Sequence, residues 1–84
     1  MLEQGVWAEV IVGDEHLRLY SEHTPSGVQS SVYNVRKRSW LAPSEAVDDI
    51  DQGKDRAERY AAAYLRRVAD SELPPLNWKK SRSV

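Results

Sequence analysis

Eighty-four residues, 40% hydrophobic and 30% charged with a mean hydropathy of -0.66, make one small domain, and no apolar run approaches the roughly 18 residues that cross a bilayer. Cysteine is absent, which removes disulfides, thiol catalysis and cysteine metal sites and fits a reducing cytoplasm. The net charge of -1 is uneven: residues 1–35 carry -4 and residues 36–84 carry +3, an asymmetry that fits either a partner surface or the differing faces of a small domain.

No basic residue precedes an apolar stretch at the N-terminus, so no signal peptide is expected and a cytoplasmic location is. Residues 6–12, Val-Trp-Ala-Glu-Val-Ile-Val, are β-branched and aromatic and read as a strand. Alternation puts Val6, Ala8, Val10 and Val12 on one face, with Trp7, Glu9 and Ile11 on the other. Gly13-Asp14 is a two-residue turn signal. Residues 15–22 alternate again, with Leu17 and Leu19 opposite His16, Arg18, Tyr20 and Glu22, as in a strand with one buried face. The two strands are expected to form a hairpin.

Pro25 and Gly27 mark a second turn, and a third strand is expected over 28–35. Ser30, Ser31 and Asn34 interrupt its alternation. After the basic step Arg36-Lys37-Arg38, residues 38–41 extend or resume the sheet as a fourth strand. Residues 42–48 read as a loop, because Pro43 opposes strand pairing.

The dominant element is a long helix over about residues 49–70. Ile50, Ala57, Tyr60, Ala61, Tyr64, Leu65 and Val68 recur at three- and four-residue spacing, which places them on one face. Acids at its start and Arg66-Arg67 near its end suit the helix dipole. Gly53 projects onto the buried face. It reads either as a site where the helix closes on the sheet, beneath Trp40, or as a glycine tolerated near a frayed end. Pro74-Pro75 then forbid further helix. Leu73, Leu76 and Trp78 mark 71–78 as an extended arm that docks, and 79–84 read as a disordered basic tail. The fold class is therefore α+β: one domain over 1–78, with an antiparallel meander of three strands, or four with 38–41, and the helix across one face.

Chemical signatures are missing. His16 and His23 have no cysteine to join them as metal ligands, Gly53-Lys54 lacks the rest of a phosphate loop, and Asp48, Asp49 and Asp51 lack the spacing of a calcium loop. No enzyme, cofactor or metal is expected.

Two surfaces are left for binding. The sheet face away from the helix is expected to present aromatic anchors; with the arm's Trp78, the partner-binding set is Trp7, Tyr20, Tyr33, Trp40 and Trp78. Aromatics dominate interface hot spots, so the leading expectation is a non-enzymatic interaction or accessory module that binds a protein or a second copy of itself as a homodimer. The competing arrangement has the arm fold back over that face and close a monomer. The alternative is weak binding of single-stranded nucleic acid through Arg36, Lys37, Arg38, Arg56 and Arg59, against which stands the sequence pI of about 6.1. Around the helix glycine, Gly53-Lys54-Asp55-Arg56-Ala57-Glu58 together with a tryptophan-bearing hairpin resembles short bacterial and phage reading frames in a general way. That resemblance implies no function.

Overall fold

The computed structural model describes residues 5–80. In chain order these form β1 (Gly5–Val12), β2 (Glu15–Thr24), β3 (Gly27–Asn34), β4 (Ser39–Val47), α1 (Ile50–Ala69) and β5 (Lys79–Lys80). All strand pairs are antiparallel, in the spatial order β4-β3-β2-β1-β5, and α1 packs on one face. The fold is α+β.

The sheet has five strands among the described residues, so the expectation of three or four is an undercount. Two segments account for the difference. β4 continues through 42–47, where Pro43 had suggested a loop. As an edge strand it can carry a residue without an N–H, and register shifts at Ser30/Val32 and Val32/Tyr33 absorb its extra residues as bulges. At the other edge, Lys79 and Lys80 pair with Trp7 and Val6. A disordered tail beginning at 79 is thereby corrected; its remainder, 81–84 with Arg82, lies outside the described residues, as does the N-terminal stretch 1–4 read for a signal peptide.

Register decides which side chains meet α1. Val10, Leu17, Leu19 and Val32 form the core with Ala57, Ala61, Tyr64 and Leu65. The small helix residues let α1 lie close to the sheet, and two of the polar residues that interrupt β3, Ser30 and Asn34, belong to the same contact. Ser30 Oγ donates to Gly53 O at 2.8 Å, and Ser21 Oγ on β2 donates to Ile50 O at 2.8 Å. Buried hydroxyls need such partners. At the opposite end of α1, buried Asn34 Nδ2 donates to Tyr64 Oη at 3.2 Å, and Tyr64 Oη donates to Glu15 Oε1 at 3.0 Å.

Gly53 is the point of closest approach. A Cβ there would stand 2.1 Å from Ser21 Oγ and 3.0 Å from Ser21 Cβ. The glycine is therefore required by β2, and the expectation that it lies beneath Trp40 is corrected: Trp40 is on the far side of the sheet. Asp49 caps the helix by accepting from Gln52 N at 2.8 Å, while Gln52 Oε1 accepts from Asp48 N at 2.9 Å, a reciprocal arrangement akin to a capping box. Asp70 ends α1 in the left-handed region, with φ 49°.

The arm 71–78 has no regular secondary structure, yet Leu73, Leu76 and Trp78 pack against the core. Trp78 Nε1 donates to Glu58 Oε2 at 2.9 Å. The arm therefore lies on the helix side, and among the described residues no element covers the opposite sheet face.

Candidate functional site

The uncovered face is assembled by strand register. In one row across the sheet, Lys79, Trp7, Tyr20 and Ser31 are successive partners; in the next, Glu9, Arg18, Tyr33 and Trp40. Alternation along each strand makes these side chains share a face. Residues from β1, β2, β3 and β4 are thus brought together although Trp7 and Trp40 are far apart in the chain.

The aromatic groups touch. Tyr33 and Trp40 stand edge to face with ring centroids 4.9 Å apart, and Tyr20 lies 5.9 Å from Trp40 at a tilt of 57°. Both separations fall within the range of favourable aromatic pairs. Trp40 remains 57% exposed and Ile11 65% exposed, so the cluster presents apolar surface to solvent despite its internal contacts. Trp7 carries two cations, Arg18 Cζ at 5.7 Å and Lys79 Nζ at 5.4 Å from its ring centroid, inside cation–π range.

A small charged group sits beside the rings. Glu9 Oε2 accepts from His16 Nε2 at 2.6 Å and from Arg18 Nε at 3.2 Å. The hydrogen bond from His16 holds the Glu9 carboxyl below its ordinary value; partial burial opposes this, and Arg18 reinforces it. Arg18 is in turn pushed up by its hydrogen bonds with Glu9 and Tyr20. Glu9 is thus matched by partners on its own face, and Arg18 is held across the Trp7 ring.

The expected site residues divide into three groups. Trp7, Tyr20, Tyr33 and Trp40 share the open face. Trp78 does not; it is half-buried against α1 on the other side, with Lys54 Nζ 5.6 Å from its ring. The cations also separate. Arg36, Lys37 and Arg38 are exposed in the β3–β4 turn, at the end of the sheet where Tyr64 meets Asn34. Arg56 and Arg59 lie further back along α1, about two turns and about one and a half turns before Tyr64, paired with Glu45 and Asp55.

Arg18 and Lys79 were not in the expected set. The signal for Arg18 was its place in the alternation of β2. Lys79 had none, because its position depends on β5 pairing with β1. Among the described residues no group of three or more His, Asp or Glu side chains is placed to hold a metal ion, and no helix is long and apolar enough to cross a membrane. Compared with protein families, curated proteins and solved structures, the chain finds no match.

Proposed function

We propose that this protein is a small non-enzymatic interaction module whose working surface is the open sheet face, engaging a protein partner or a second copy of the chain. One observation carries the reading: Trp7, Tyr20, Tyr33 and Trp40 converge with Arg18 on a face that no described element covers. Trp, Tyr and Arg are the residue types in which interface hot spots are richest, and exposed apolar patches mark partner sites.

The sheet edges are poorer candidates. β5 is two residues long and both are lysine, while β4 carries Pro43 and bulges; these are devices by which edges avoid pairing with other chains. Self-association is therefore expected face to face. The test is sedimentation of the wild-type protein and of Trp40→Ala over a range of concentrations, with capture from source lysate using the same pair. Association or capture that is lost in Trp40→Ala supports the module. A wild-type protein that stays monomeric and captures nothing removes it.

A second reading, weak binding of single-stranded nucleic acid, draws on the β3–β4 turn. Arg36, Lys37 and Arg38 connect the strands that carry Tyr33 and Trp40, so phosphate-neutralising charge adjoins rings on which bases stack. It predicts oligonucleotide affinity that falls steeply with salt. A flat salt response eliminates it.

A further inference from the structure

On the helix side of the sheet, away from the aromatic face, a cleft of about 510 Å³ opens between α1 and β4. Its origin is the pair of register shifts in β4. Between Ser30↔Glu45 and Tyr33↔Trp40, β3 advances three residues while β4 advances five. The extra β4 residues bend the strand locally, as bulges do, and α1 packs mainly over β2 and β3.

Two side-chain bridges span the resulting gap. Tyr60 Oη donates to Leu41 O at 2.7 Å, and Arg56 forms an ion pair with Glu45. Ala42 and the Tyr60 ring give the cleft its accessible apolar surface over a floor formed by buried Val32 and Ala57, and Ser44 and Arg59 complete its polar rim. The volume lies in the range of small-molecule sites, which combine apolar walls with a few polar groups that fix orientation.

We propose that this cleft binds a small amphiphilic carboxylate, its head on Arg56 and its apolar body on Ala42 and the Tyr60 ring, above Val32 and Ala57. The Glu45 carboxylate already occupies the guanidinium in the way a ligand carboxylate would, and so identifies the chemistry that the position recognises. The native pair is exchangeable. Arg56 and Glu45 side chains are 50% and 55% exposed, and ion pairs of that kind contribute little. Arg59, one turn further along α1 and paired with Asp55, adds a second positive group at the rim. In the ligand-free state Glu45 acts as an internal competitor, so removing its charge strengthens binding.

Octanoate is the probe, with octanol as the uncharged body and acetate as the head alone. Each is titrated into the full chain while amide chemical shifts are followed by NMR. Octanoate is expected to shift residues along Val32, Ala42 and Ala57, with octanol and acetate binding at least about tenfold more weakly. Glu45→Gln is expected to tighten octanoate binding about two- to fivefold, the scale of an exposed ion pair, and Arg56→Gln to abolish the preference over octanol. Both substitutions are at exposed positions, and unchanged amide dispersion verifies that each variant is folded. The proposal is overturned if octanoate does not bind, if octanol binds equally well, if the shifts map to the aromatic face, or if Glu45→Gln weakens binding.

Discussion

Gly53 stands directly over Ser21, at a distance where one added carbon would lie 2.1 Å from the serine oxygen. Helix and sheet meet here backbone to side chain, and Ser21 uses the proximity to donate to Ile50 O. Gly53→Ala sets a helix-propensity gain of about 1 kcal/mol against overpacking that costs about 1–3 kcal/mol. A net loss is expected in urea unfolding. Ser21→Gly in the same chain removes the obstructing atoms, so the double variant is expected to be more stable than the sum of the two single losses implies. Additivity would show that the contact does not govern the site.

Trp78 and Trp40 divide structural from surface roles. Trp78→Ala removes a ring packed against the core and its hydrogen bond to Glu58, and a loss of about 2 kcal/mol or more is expected. Trp40→Ala loses ring contacts on an open face, with an expected cost below about 1.5 kcal/mol. Thermal unfolding of the two variants checks the order. Equal losses would place Trp40 in the core as well.

Tyr64 makes stability depend on alkaline pH. Burial raises its pKa, and the hydrogen bond to Glu15 raises it further. The folded-state value lies above the ordinary value of 10.0, so the protonated hydroxyl is favoured by folding. Its contribution is fully present below pH 10 and is lost as pH rises through the folded value. Tyr64→Phe is expected to cost about 1–3 kcal/mol near neutrality, because Asn34 loses a buried partner, and to flatten the stability profile above pH 10. A profile unchanged by the substitution would assign the alkaline limb to other groups.

Asp70 ends the helix in a conformation that glycine adopts more readily. With φ at 49°, Asp70→Gly is expected to stabilise by roughly 0.5–1 kcal/mol, read as a higher denaturant midpoint at constant m-value. A lower midpoint would mean that the aspartate side chain supplies more than the backbone conformation costs.

Local patterns made much of this architecture legible. Alternation at Leu17 and Leu19, three- and four-residue spacing from Ala57 to Leu65, and Gly13-Asp14 as a turn each depend on neighbours within a few residues. From these the α+β class follows, as does the sharing of one face of β1 by Trp7 and Glu9 and of one face of β2 by Tyr20 and Arg18. The serines of β3 read as a weak strand because a buried hydroxyl and an exposed one look alike until the carbonyl above is known.

What the tertiary structure alone decided is non-local. Pairing of β5 with β1 puts Lys79 over Trp7, the bulges of β4 open the cleft beside Arg56, and the arm's course sends Trp78 to the helix side. Each outcome depends on contacts between segments far apart in the chain, where register and packing select among arrangements that local sequence leaves equal. Sequence by itself determined which side chains share a strand face or a helix face. Tertiary packing determined which of those faces were covered.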